Sequence, residues 1–413
     1  MFSSCMSLRG NTSLILPIGF GYLPEKVLLN IFQYFDETEL RTTIIPVCQQ
    51  WRTVAEHPSL WNTLKFQGIS ISTSVICLKI RQFNTAETII IKEIKEPLIV
   101  LRQICRYAQN LVRISLRHCH EVVEDSLRHL IVSCKVLKEL DLKGTKFKSL
   151  IFCVELAFCQ SLSSVNFSDN PYLTISHITS IIMNCRKLNG FHISTFKPIN
   201  RIYLIDADIY FLTSHTANSL QYLSLDCSNL GNGSFSSILQ CKNLQYLCLN
   251  FAYNFEGCDF QSLWKTLRKL KTLKVRFGHQ ISDVNIKNLF EQGKDSLEKL
   301  EVIDFTGCSK ISNFGIKAIA KSCSNLKQLI LRNCKNIFSI DDILKKCSNL
   351  EMLNIAFCTN LNVYTIFELK TLRILFISDE KKLKYFVDCL KNKNKNLKLK
   401  ICDSEFNKSF RNI

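Results

Sequence analysis

The chain has 413 residues, 46% of them hydrophobic, with 20 cysteines and a formal net charge of +18. That apolar content excludes a disordered chain and suffices for a large core, built either as several ordinary domains or as one repeat array. The positive charge is spread along the chain and thickens only in KKLKYFVDCLKNKNKNLKLK; no RNA- or DNA-binding motif accompanies it, so a nucleic-acid partner is not expected.

In chain order, residues 1–20 read as an N-terminal extension. Its short apolar stretch is interrupted by Pro17 and Gly19, with Gly21 just beyond, before it makes a signal-peptide core. No uninterrupted apolar run approaches the roughly 20 residues that span a bilayer. The expectation is a chain without membrane attachment, cytoplasmic and/or nuclear, with reduced thiols.

Residues 21–66 form a different unit, containing YLPEKVLLNIFQYFDETELRTTIIPVCQQWRTVAEHPSLWNTLKF. Pro24 followed by Val27, Leu28, Ile31, Phe32 and Phe35 predicts a short amphipathic helix that the polar stretch DETE ends. A second helix is predicted from about Glu39 and should stop at Pro46, which removes a backbone donor. VCQQWRTVAEH starts a third. Three short helices make a thin core, so burial against a partner is expected to help hold them.

From residue 67 to 402 the chain repeats itself. Blocks patterned L-x-x-L-x-L-x-x-C begin at Leu111, Leu137, Leu162, Leu188, Leu220, Leu244, Leu270, Leu300, Leu326, Leu350 and Leu372, most of them about 26 residues apart. A weaker copy starts at Ala86 and a last one lies around Leu397, giving about 11 to 13 repeats. Within a copy, LKQLILRNC alternates Leu329 and Leu331 with Gln328, Ile330 and Arg332, as a strand does. KISNFGIKAIAKSC then places Ile316, Ile319, Ala320 and Cys323 at i, i+3, i+4 and i+7, one face of a helix. One strand and one helix cannot bury their faces alone, so stacked copies share a core and curve into a horseshoe, parallel strands inside and helices outside. The stretch HISTFKPINRIYLIDADIYFLTSHTANS, residues 192–219, lengthens one copy as a loop or a degenerate repeat. Residues 403–413 are a C-terminal tail.

The cysteines follow the repeat. Cys134, Cys159, Cys185, Cys241, Cys323 and Cys347 stand three residues before a leading Leu; Cys119, Cys308, Cys334 and Cys358 stand eight after one. These slots are the end of the buried helix face and the bend after the strand, where a thiol can pack and meet backbone groups. An extended strand separates Cys323 from Cys334 beyond disulfide reach, and no C-x-x-C pair exists, so packing is expected and metal is not. HCHEVVED groups His118, His120, Glu121 and Glu124 but lacks the H-E-x-x-H spacing, and no phosphate loop or nucleophile elbow occurs. The chain reads as non-catalytic, without cofactor or metal.

The blocks C-x-x-L-x-x-L-x-L-x-x-C followed by an I-S-x-x-G-I helix, as in GCSKISNFGIKAIAKSCSNLKQLILRNC, look like the cysteine-containing leucine-rich repeats common in F-box proteins. LPEKVLLNIFQYF, then VCQQWRTVA, then SLW closely resembles an F-box, whose hallmarks are matched by Leu23, Pro24, Glu25, Ile31, Phe32, Leu40, Val47, Cys48, Trp51, Arg52 and Trp61. Phe35, where Leu is commoner, and Thr38 and Thr42 depart from the pattern. The resemblance implies an α/β architecture, a small three-helix F-box followed by a leucine-rich-repeat solenoid. It implies that those residues bind the Skp-type adaptor of a cullin-RING (SCF-type) ubiquitin ligase. The horseshoe then holds a protein substrate near the conjugating enzyme for ubiquitination and proteasomal degradation, acting by proximity. The alternative is a repeat scaffold that binds a protein without degrading it; a basic RNA-binding horseshoe is more remote.

Positions two, four and six after each leading Leu point to the concave wall. Early rungs there are polar or basic, with Arg113, Ser115, Arg117, Glu139, Asp141 and Lys143. Tyr222, Tyr246, Lys274 and Arg276 follow, suited to a partly acidic peptide. Val302, Ile330, Met352, Ile374 and Phe376 then form an apolar group expected to contact substrate, unless Phe406 and Phe410 of the tail fold over it.

Overall fold

The computed structural model describes residues 23–120, 122, 124–185, 187–194, 204–255, 260–291, 297–362, 371–378 and 397–402. The readings placed on residues 1–22, on Glu121 and on the tail with Phe406 and Phe410 lie outside these.

Near its start the chain forms short helices. Pro24 precedes the helix Glu25–Phe32, whose Leu28 and Phe32 are buried. The segment DETE does more than end that helix. Asp36 Oδ1 accepts from the Glu39 amide at 2.9 Å while Glu39 Oε2 accepts from the Asp36 amide at 2.9 Å. This reciprocal cap starts the second helix at Glu37, two residues before the position the sequence suggests. It runs on as a wider π-wound turn over Leu40–Ile44, ahead of Pro46. Cys48 then opens the helix Gln49–Ala55, its Sγ accepting from the Trp51 amide at 3.5 Å.

Among the described residues, fourteen strands form one parallel sheet in simple sequential order. They are β1 Thr63–Gln67, β2 Thr88–Lys92, β3 Arg113–Arg117, β4 Glu139–Asp141, β5 Ser164–Asn166, β6 Gly190–His192 and β7 Tyr222–Asp226. The series continues with β8 Tyr246–Asn250, β9 Thr272–Arg276, β10 Val302–Asp304, β11 Gln328–Ile330, β12 Met352–Asn354, β13 Ile374–Ser378 and β14 Lys398–Cys402. From β2 to β13 each strand starts two residues after the repeat's leading residue, and equivalent positions pair: Tyr222 with Tyr246, Tyr246 with Thr272, Val302 with Gln328. The inward residues, such as Leu273, Ile303 and Leu329, are completely buried; each contributes about 1.5–3 kcal/mol by leaving water. β1 straddles the boundary drawn at 66/67, so the sheet begins within the segment read as 21–66. Trp61 occupies the leading position of this first rung.

Two devices turn the chain out of each strand. Asp141, Asn166, Asp304 and Asn354, the last residues of four of the three-residue strands, each accept from the amide two residues on at 3.0–3.1 Å, which ends the extended run locally. Seven residues after the leading position the backbone turns left-handed at Glu93, His118, Asp169, Phe251, Phe277, Asn333 and Phe357. Gly307 fills that place in its repeat at φ 73°, and a Cβ there would meet Phe277 Cδ1 at 2.6 Å, so only glycine fits.

The cysteines stitch one repeat to the previous one. Cys308 Sγ donates to Val275 O at 3.3 Å, Cys334 to Phe305 O at 3.1 Å and Cys358 to Leu331 O at 2.9 Å. In the other slot Cys347 donates to Cys323 O at 3.3 Å and Cys159 to Leu137 O at 3.5 Å. All of these thiols are free. Burial pushes Cys134 and Cys308 up to about 12, the range of an inert, packed thiol. Asn170 takes the post-strand slot in its own repeat, donating to Leu142 O at 2.8 Å and Phe167 O at 2.9 Å.

Among the described residues, outer helices join successive strands from β1 to β12, including Ile175–Asn184 and Asn313–Ser322, the latter burying Ile316, Ile319 and Ala320 as its period predicts. Within the long stretch 192–219 the described part includes the helix Asp206–Thr216. It buries Ile209, Leu212, Thr213 and Thr216, and residues 195–203 of the stretch lie outside those described.

Candidate functional site

The residues singled out by the helical motif divide by exposure. Phe32, Leu40 and Trp61 are core residues. Phe32 meets Trp51 edge-on at 5.2 Å between ring centroids. Trp61 stacks on Phe83 of the first repeat at 4.7 Å and donates from Nε1 to Ala55 O at 2.7 Å. These three side chains are therefore unavailable to a partner and instead lock the helices together and onto the sheet. Leu23, Ile31 and Trp51 are half-buried, whereas Pro24, Glu25, Val47, Cys48 and Arg52 are exposed. Gln50 Nε2 donates to Leu23 O at 3.1 Å, so Leu23–Pro24 and Val47–Cys48 come to the same end of the helical segment. Val27, 41% exposed, and Tyr34, 90% exposed, add apolar surface. For Tyr34, which lies just past the first helix, the sequence carried no signal.

The junction with the sheet is polar as well as apolar. Burial raises the Glu37 carboxyl above the usual carboxylate range, against the opposing pull of Arg41 and of Lys65 on β1. Arg41 lies 2.7 Å from Glu37 Oε1 and 5.2 Å from the centre of the Trp61 ring. Arg41 and Glu37 thus bring the second helix up against Trp61, next to the first strand of the sheet.

Along the concave wall three zones follow one another. In the first, charges pair across neighbouring strands: Arg113 with Glu139 at 2.9 Å, Arg117 with Asp141 at 2.6 Å and Lys143 with Asp169 at 3.2 Å. Sequence reading places these residues on one wall but not in pairs, because partners about 26 positions apart meet only once the register is set. The second zone is small and polar. Ser224 Oγ donates to Ser194 Oγ at 2.9 Å, and the Ser194 amide donates to Ser168 Oγ at 3.1 Å.

The third zone gathers the expected tyrosines and cations. Tyr222 pairs with Tyr246 across the strands, and Lys274 Nζ lies 5.2 Å over the Tyr246 ring. Arg276 reaches Asp304 at 2.6 Å, leaving its charge committed within the wall. Burial, then Arg276, lowers the Lys274 ammonium below its ordinary value, and burial raises the Tyr246 phenol. His192, absent from the sequence-based candidates, joins here with its ring 6.0 Å from Tyr246. Burial lowers it to about 4. Its position four after Leu188 was the available signal. Beyond lie Val302, Ile330, Met352, Ile374 and Phe376. They are half-buried rather than exposed, set in a checkerboard with Gln328 and Asn354 by the strand register, and Lys400 Nζ lies 5.1 Å over Phe376. Among the described residues, no group of His, Cys, Asp and Glu side chains converges as a metal site, and no helix is long and apolar enough to cross a membrane.

Residues 20–67 match the family described as F-box-like. Over 249 residues, 60% of this chain and 49% of the other, the sequence is 23% identical to F-box/LRR-repeat protein 21 of Mus musculus. It is 23% identical over 236 residues to the protein of the same name from Ovis aries, 57% of this chain and 46% of that one. The chain thus spans about half the length of the curated relatives it matches. Among solved structures, the crystal structure of the Rad7 and Elc1 complex in yeast superposes with a TM-score of 0.61 at 14% identity, covering 86% of this chain and 88% of that one. That likeness is one of fold. An F-box-like segment followed by a leucine-rich-repeat solenoid is the architecture of this chain.

Proposed function

We propose that this chain is the substrate-recognition subunit of an SCF-type cullin-RING ubiquitin ligase. In this reading the end of the helical segment carrying Leu23, Pro24, Val47 and Cys48 docks the Skp-type adaptor, which links it to cullin and RING subunits. The observation that carries it is the division within one motif: Phe32, Leu40 and Trp61 are consumed in packing, yet apolar Pro24 and Val47 stand in water. Exposed apolar residues gathered at one end of a rigid segment form the kind of surface that a partner covers. The concave wall from Tyr222, Tyr246, Lys274 and Arg276 to Val302, Ile330, Met352, Ile374 and Phe376 is the proposed substrate surface. Because the helices are welded to β1 through Trp61, the substrate is held at a fixed distance from the adaptor. Proximity then supplies the rate effect, and the chain needs no reacting group of its own.

Adaptor co-purification tests the first half. Leu23→Ala with Pro24→Ala is expected to release the adaptor while the repeats keep their melting temperature, since truncating apolar interface anchors costs about 2 kcal/mol or more. Undiminished capture would end the F-box reading. For the second half, Ile330→Asp with Met352→Asp should abolish substrate ubiquitination without affecting adaptor capture. Full ubiquitination in that variant would move recognition to another surface, and adaptor capture without any ubiquitination by the wild type would favour a non-degradative scaffold.

A further inference from the structure

On the outer surface, away from the concave wall, the helices Asp283–Glu291 and Asn313–Ser322 lie side by side and enclose a groove of about 430 Å³. The second helix turns Gly315, Ile316, Ile319 and Ala320 to the core, which leaves Phe314, Lys317, Ala318 and Lys321, spaced i, i+3, i+4 and i+7, along the groove. Val284 and Lys287 repeat the Phe314 and Lys317 positions one turn of the solenoid earlier. Phe314 is 79% exposed and Val284 65% exposed. A third apolar side chain, exposed Phe338, adjoins the Phe314 end, its amide donating to Asn313 Oδ1 at 2.8 Å.

The acid lining this groove is spent on the fold. Asp283 accepts from the Ser312 amide at 2.8 Å, the Ser312 hydroxyl at 2.5 Å and the Gly315 amide at 2.9 Å, which caps the neighbouring helix. Lys317 and Lys321 are exposed beside the apolar strip. We infer that this groove docks an acidic amphipathic helix of a partner protein, its apolar side on Phe314 and Val284 and its carboxylates on Lys317 and Lys321. A cleft between two parallel helix ridges suits a third helix. The charge selects an acidic occupant, and a net charge of +18 opposes a second copy of this chain in that place. The surface is separate from both the adaptor face and the concave wall.

The test uses the full chain and a fluorescein-labelled synthetic peptide of about 14 residues, some 20 Å as a helix, with Leu at i, i+3, i+4 and i+7 and Glu on the flanks, followed by fluorescence anisotropy. Wild type should bind this peptide and ignore one with Lys in place of Glu. Phe314→Ser, and separately Lys317→Glu with Lys321→Glu, should raise Kd about tenfold or more, and the charge-reversed variant should gain the Lys peptide. Because these positions are exposed, melting temperature and adaptor capture should not change. No binding of the Glu peptide, equal binding by the variants, or equal binding of the Lys peptide by wild type would overturn the inference. So would a wild-type dimer that Phe314→Ser dissociates, or retention on phosphatidylserine vesicles that outcompetes the peptide.

Discussion

The helical segment and the solenoid use conspicuous sequence motifs in opposite ways. In the solenoid the motif is consumed by the fold: the leading leucines, the inward strand residues and most of the repeat-slot cysteines are buried, and their thiols reach carbonyls of the previous repeat. In the helical segment the motif splits, Phe32, Leu40 and Trp61 going inside while Pro24, Val47 and Cys48 stay out. A patterned residue that ends in the core reports packing; one that ends in water on a rigid element is what the proposed adaptor face is built from. The boundary between the two uses runs through Trp61, which belongs to the helical motif by sequence and to the first repeat by position.

The largest expected effect falls on that boundary. Trp61→Ala removes the stack on Phe83 and the bond to Ala55 and should destabilise the fold by about 3–5 kcal/mol, with hydrogen exchange accelerated first in β1 and β2. If exchange rises only in the helices, the segment folds independently of the sheet and the comparison fails at its centre.

Acid should strain the solenoid through His192. Its folded pKa, about 4, lies below the ordinary 6.5 because burial disfavours the charged ring. Above pH 6.5 both states are neutral and the contribution is fully present. As pH falls from 6.5 to 4 the unfolded chain takes up the proton first, so stability declines, by at most about 3 kcal/mol, and levels off below 4. His192→Gln should flatten this part of the profile in chemical denaturation run across that window. An unchanged slope would mean that the ring is solvated.

Cysteines sharpen the contrast between regions more gently. Cys323→Ser puts a hydroxyl into a completely buried slot and should cost about 1–3 kcal/mol, with no response to chelator or reductant. Cys48→Ser, on the exposed face, should stay within about 0.5 kcal/mol and is measured best by the midpoint of the same unfolding curve. Equal losses at both positions would erase the distinction between packed and presented cysteines. Smallest of all, Arg113→Ala breaks an exposed pair with Glu139 and should change stability by less than about 1 kcal/mol, decreasingly so in high salt.

The sequence by itself determined what depends on local periodicity. The alternation of faces along each strand, helix faces such as Ile316, Ile319 and Ala320, and the two cysteine slots were legible because spacing along the chain decides which side a residue faces. What required the tertiary structure was everything set by register and neighbouring turns. The pairing of Arg117 with Asp141, the cluster of His192, Tyr246 and Lys274, and the burial of the late apolar rungs join residues from different repeats, which no local pattern brings together. The second helix begins at Glu37 because two side chains cap each other in space, although DETE in isolation reads as a stop. Trp61 joins the helices to the first repeat for the same reason: its hydrophobicity was visible in the chain, but only the packed structure decided that it leans on Phe83 and leaves Pro24 and Val47 to water.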